Sequence, residues 1–78
     1  MKMNRIVNKY STCPGQRVRI INKTDTDDYV TYSLVKYITE EIDHDGNRFI
    51  VLHHEDAETS TFNMSDWKVA ISAFVPLW

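Results

Sequence analysis

YVTYSLVKYITEEIDHDGNRFIVLHHED, residues Tyr29 to Asp56, is the stretch on which the fold turns. In its first half Val30, Tyr32, Leu34, Ile38 and Ile42 share one parity, while Thr31, Ser33, Thr39 and Glu41 share the other. A period of two is that of a strand. Asp45-Gly46 supplies the positive φ angles of a tight hairpin turn, with His44 and Asn47 beside it. Beyond the turn, Phe49, Val51 and His53 alternate with Ile50, Leu52 and His54, so this arm is apolar on both faces and reads as a central strand. The stretch as a whole is expected to be one long β-hairpin.

A helix is the rival reading of the first arm, because Val30, Leu34, Ile38 and Ile42 also recur at spacing four and Asp27 or Asp28 could cap its start. The density of β-branched and aromatic side chains from Tyr29 to Thr39 decides for strand. Such side chains lose rotamer freedom in a helix and pack well on a pleat.

Seventy-eight residues make a single domain whose core stabilises it by only about 3–5 kcal/mol. The one cysteine, Cys13, cannot form an internal disulfide, which fits a reducing, cytoplasmic setting. No apolar run nears the roughly 18 residues of a membrane span, and MKMNRIVNKYSTCPG lacks the apolar centre of a signal peptide. The net charge of −2 conceals a sorted chain. Residues 1–23 carry Lys2, Arg5, Lys9, Arg17, Arg19 and Lys23 and no acid, whereas residues 24–66 carry all eleven acids against Lys36 and Arg48. Such asymmetry can mark an electrostatic binding surface.

Outward from the hairpin, residues 1–11 alternate loosely as a first edge strand. Cys13-Pro14-Gly15 is a turn signal, and Gln16–Asn22 reads as a strand with Val18 and Ile20 inward and Arg17 and Arg19 outward, where they would protect an edge. Lys23–Asp28 is a polar loop. After the hairpin come an acidic turn at Glu55–Glu58 and a short strand over Thr59–Met64 with Phe62 and Met64 as core contacts. A one-turn connector, Ser65-Asp66-Trp67, leads to a last strand, Lys68–Ser72, with Val69 and Ile71 on one face. The tail Ala73–Trp78 is apolar, and Pro76 should end regular pairing there. The expected architecture is an all-β, small antiparallel barrel of five or six strands over about residues 14–72.

PGQRVRI is similar to the opening strand of the Src-homology-3-like and Tudor-like small barrels, and FIVLHHEDAETSTFNMSDWKVAI resembles their last three strands with a short helical turn at Ser65–Trp67. The resemblance is one of pattern over about residues 14–72, and it implies a fold without carrying a residue-level function. Neither a groove signature for proline-rich peptides nor an aromatic cage accompanies it.

Several residues invite chemistry. His53 and His54, with His44 and Cys13, raise a metal site, but adjacent strand residues point to opposite faces and cannot readily share an ion, so one half-buried and one solvated histidine is the expectation. The acidic groups Asp25/Asp27/Asp28, Glu40/Glu41/Asp43/Asp45 and Glu55/Asp56/Glu58 lie in or beside turns, where solvation favours plain ionised carboxylates over acid–base catalysts. They could instead meet a basic partner surface. No nucleophile elbow is present, and two glycines cannot make a phosphate-cradling loop of the usual form. The chain therefore reads as a non-enzymatic module that takes no cofactor and no metal and binds another protein. The candidate contacts are Tyr29, Tyr37, Glu55, Asp56, Glu58, Trp67, Phe74 and Trp78. Phe74, Val75, Leu77 and Trp78 would either close the barrel or serve as an aromatic anchor. Its size and polar surface resemble those of the accessory proteins with which viruses and mobile elements modulate a host enzyme. The alternative is a small barrel that binds single-stranded nucleic acid through Arg5, Lys9, Tyr10, Arg17 and Arg19.

Overall fold

The computed structural model describes residues 4–13 and 16–72. Among the described residues seven strands are formed: β1 (Arg5–Ser11), β2 (Arg17–Asn22), β3 (Tyr29–Tyr32), β4 (Val35–Ile42), β5 (Arg48–His54), β6 (Thr59–Asn63) and β7 (Trp67–Ser72). All pairings are antiparallel. They build a four-stranded sheet in the order β1-β4-β5-β6 and a three-stranded sheet in the order β3-β2-β7. The expected all-β class is therefore observed, as two sheets not closed into a barrel and with more strands than the five or six expected. Among the described residues no helix is long and apolar enough to cross a membrane.

The expected single arm over 29–42 is in fact two strands in two sheets. β3 pairs with β2 and β4 pairs with β5, and the chain passes from one sheet to the other at Ser33-Leu34. Parity changes at the break: Leu34 is 64% exposed, whereas Val35, which shares no parity with Ile38, is buried beside it. A register shift between Val35 and Tyr37 makes this possible, because one extra residue in a strand exchanges its two faces. The Thr12 hydroxyl, from the β1–β2 connector, reaches the carbonyls of both Val35 and Lys36 and holds the irregular segment in place.

The inner faces of the two sheets meet in a core of Val18 and Ile20 from β2, Val35 and Ile38 from β4, and Ile50 and Leu52 from β5. Tyr32, Phe62, Met64, Trp67 and Val69 pack around it. Phe62 stands edge-on to Trp67 at 5.8 Å and to Tyr32 at 6.2 Å, an arrangement that aligns ring edges with ring faces. Phe62 and Met64 are thus core contacts as expected, and β5 is a central strand as its two-faced apolar run implies. Val51 and Thr39, opposite each other on the other face of the sheet, are buried as well.

Three local expectations are corrected. Arg17 and Arg19 do point outward, but β2 is the middle strand of its sheet, so they guard no edge. Trp67 opens β7 rather than closing the connector, and the turn occupies Met64–Asp66, where the Lys23 amide donates to the Asp66 carbonyl at 2.8 Å. The β4–β5 turn is wider than a two-residue hairpin. Gly46 does take a positive φ of 88°, but the loop is pinned at its base by Asp43, whose Oδ1 accepts the amides of Asp45 and Asn47, both at 2.9 Å.

Burial pushes the Asp43 carboxyl up, but the Asn47 backbone and side-chain amides, the Asp45 amide and nearby His44 outweigh it and leave the group below its ordinary 3.8. A carboxyl with a depressed folded-state pKa stabilises the fold above its unfolded pKa, and that stability is lost as the pH falls through the folded value. Asp43→Ala should therefore lower the urea midpoint near neutrality. The gap to wild type should narrow once the pH drops below about 3.8. A gap constant from neutral to acid pH would show that the carboxylate's charge plays no part.

Candidate functional site

The sheet crossing at Ser33-Leu34 and the β5–β6 turn come together at one end of the molecule. The Glu55 amide donates to the Leu34 carbonyl at 3.0 Å, which ties the acidic turn to the break. Within the turn the His54 amide donates to the Glu58 carbonyl at 2.9 Å, and the Asp56 carboxylate accepts the Glu58 amide at 3.0 Å. Ala57 sits at a φ of 72°, a left-handed conformation that costs a residue with a Cβ about 1 kcal/mol. Ala57→Gly should accordingly raise stability by about 1 kcal/mol, less the greater freedom glycine gains when unfolded. A urea titration checks this, and a lower midpoint would contradict it.

Leu34 stands between two grooves. One, about 500 Å3, runs along Thr31, Tyr32 and Ser33 to His54, Glu55 and Asp56. The other, about 520 Å3, lies on the far side of Leu34 against Thr12, Cys13, Lys36 and Glu55. A third hollow of about 270 Å3 continues over Tyr37, His53 and Glu58. The result is an exposed aliphatic side chain shared by two grooves that Glu55 and Asp56 edge, with Glu58 farther along the same turn on the third hollow. All three acids are exposed.

His53 and His54 belong to opposite faces of β5, and both are half-buried, which corrects the expected solvated member of the pair. His53 stacks on Tyr37 at 4.2 Å, with the Lys9 ammonium 4.5 Å from the far ring's centroid. Beneath the stack Thr39, 1% exposed, gives its proton to Glu41 Oε2 at 2.7 Å and accepts from His53 Nε2 at 2.9 Å, so that nitrogen carries hydrogen. His54 bonds Ser60 Oγ at 2.9 Å and lies 5.3 Å from Tyr32. Among the described residues no three His, Cys, Asp or Glu side chains converge to hold a metal ion.

The sequence-predicted residues are therefore distributed. Glu55, Asp56 and Glu58 gather at the Leu34 end, and Tyr37 lines the third hollow. Trp67 is half-buried against the core and Tyr29 lies on the three-stranded sheet, 49% exposed. Phe74 and Trp78 lie outside the described residues. The basic set is divided between the sheets: Arg5, Lys9 and Tyr10 on β1, Arg17 and Arg19 on β2. Tyr10 donates to Glu40 Oε2 at 2.7 Å, and this bond to a carboxylate, then burial and the charge of Glu40, raises its hydroxyl pKa above the ordinary 10.0. Leu34 and Lys36 were not legible as site residues, because Leu34 shares the parity of the apolar positions. The serine before it was the one available sign of a break. No protein-family model, curated protein or solved structure matches the chain.

Proposed function

We propose that this chain is a non-enzymatic binding module that engages another protein through the end of the molecule bearing Leu34 and the β5–β6 turn. The observation that carries the reading is the exposure of Leu34 on a segment braced by the Glu55 amide and the Thr12 hydroxyl. An aliphatic side chain held rigidly in water, with grooves on both sides, forgoes burial that the core could have used, and a partner's pocket restores it. Glu55, Asp56 and Glu58 add a rim that favours a basic partner surface and speeds encounter. The partner accordingly has an apolar pocket edged by lysines or arginines.

The finer architecture is proposed in the same terms. The order β3-β2-β7 and β4-β5-β6, with one interrupted strand segment shared between the sheets, is similar to that of the Src-homology-3-like barrels, and β1 is an addition on the β4 side. This supports a small, rigid scaffold for the Leu34 end.

The test is capture of partners from extract of the native source by the tagged protein, with nuclease added throughout. Wild type should retain a stoichiometric protein that Leu34→Asp and the triple reversal Glu55→Lys, Asp56→Lys, Glu58→Lys both lose. Retention of the same protein by both variants would place binding elsewhere and overturn the proposal.

A further inference from the structure

The outer face of the three-stranded sheet is basic and carries an exposed aromatic ring. Register places Arg19 between Thr31 on β3 and Ala70 on β7, Ile21 between Tyr29 and Lys68, and Arg17 beside Ser72. Because alternate strand residues share a face, Arg17, Arg19, Lys68 and Tyr29 all lie opposite the buried Val18 and Ile20. No carboxylate occurs on this face of the three strands. Lys68 is the cross-strand diagonal neighbour of Arg19, about 7–8 Å away, and Arg17 is the next outward residue along β2, so the three cations line one face in a row.

Among the described residues no carboxylate neutralises that patch. Among the described residues the sole ion pair is His44–Asp45, and Arg17, Arg19 and Lys68 are exposed. The Arg19 guanidinium lies over one face of the Tyr29 ring, 4.3 Å from its centroid, which holds the charge against the sheet, and Tyr29 as a residue is 49% exposed. The cations of β1 differ: Lys9 and Arg5 share their sheet with Glu40 and Glu41, which pair with β1 residues across the ladder. Asp25, Asp27 and Asp28 of the β2–β3 loop and Asp66 of the β6–β7 turn all border the basic face at the same end, so the positive field is strongest toward its Arg17 end.

We infer that this face is a second binding site, for single-stranded nucleic acid, with Arg17, Arg19 and Lys68 on the phosphates and Tyr29 as a stacking platform for a base. A polyanion matches the unneutralised charge, and the exposed aromatic ring beside the cations favours a strand whose bases are free to stack. An acidic protein would match the charge but gives Tyr29 no base to carry. The site shares only Thr31 with the groove beside Leu34 and differs in composition from a surface built on β1.

Anisotropy of a dye-labelled oligothymidylate of about 12 nucleotides, titrated at several salt concentrations, tests it. Three phosphate contacts on a single strand predict a log–log salt slope of about −2. Arg17→Gln with Arg19→Gln should reduce the slope to about −0.7. Tyr29→Ala should weaken binding about tenfold or more with the slope kept, while Tyr29→Phe binds as wild type. Thr31→Glu and Ala70→Glu, both at exposed positions, should abolish binding in a protein whose far-UV circular dichroism matches wild type. Leu34→Asp and the pair Arg5→Gln, Lys9→Gln should leave it unchanged. Absence of binding at the lowest salt, loss of binding in the Arg5/Lys9 pair alone, or equal competition by oligoglutamate of matched charge would each overturn the inference.

Discussion

Ile50→Ala is expected to leave the chain largely unfolded under conditions where wild type is folded. Ile50 is fully buried on β5, one of the two inner strands of the four-stranded sheet, opposite Glu40 on one neighbour and Phe62 on the other. Truncating a buried isoleucine costs about 2–5 kcal/mol, the transfer of the lost methyl groups plus the cavity they leave. A domain of this size has about 3–5 kcal/mol in total. The two quantities are comparable, so one truncation consumes most of the stability. Far-UV circular dichroism against urea reads the result, with Ile50→Val as the graded control at about 0.5–1.5 kcal/mol. A wild-type midpoint for Ile50→Ala would mean that the two sheets do not pack on this side chain.

The second large effect has the opposite character. Leu34→Asp should leave the urea midpoint within about 0.5 kcal/mol of wild type, because the side chain is 64% exposed and its carbonyl still accepts the Glu55 amide. Partner affinity should fall by at least about 30-fold, the loss of about 2 kcal/mol typical of an interface anchor. The contrast between the two variants is the informative result. Destabilisation by Leu34→Asp comparable to that of Ile50→Ala would mean that Leu34 belongs to the core, and the grooves beside it would lose their meaning as a docking surface. Unchanged affinity with an unchanged fold would remove Leu34 from the interface.

Alternation and turn chemistry are local, and what depends on them was legible in the sequence. Val18 and Ile20 face inward and Arg17 and Arg19 outward because adjacent Cβ atoms leave a strand on opposite sides. The run Phe49–Leu52, apolar at both parities, requires cover on two faces and so places β5 inside a sheet. Gly46 marks the hairpin because its positive φ costs a glycine little. The acidic turn at Glu55–Glu58 was likewise readable, as was the β-class of Tyr29–Ile42 against its helical rival.

Partnership between strands is not local, and only the tertiary structure decided it. The parity of Tyr29–Ile42 reads as continuous, but its two halves satisfy their backbone hydrogen bonds with different neighbours, β2 and β5, and the crossing exposes Leu34. The same holds for charge. Arg5, Lys9, Arg17 and Arg19 are close in sequence and lie in different sheets, whereas Lys68 joins Arg17 and Arg19 from the far end of the chain because β7 pairs with β2. Side-chain direction follows from the pleat of each strand. Which directions add up to a surface follows from the ladder that joins one strand to the next.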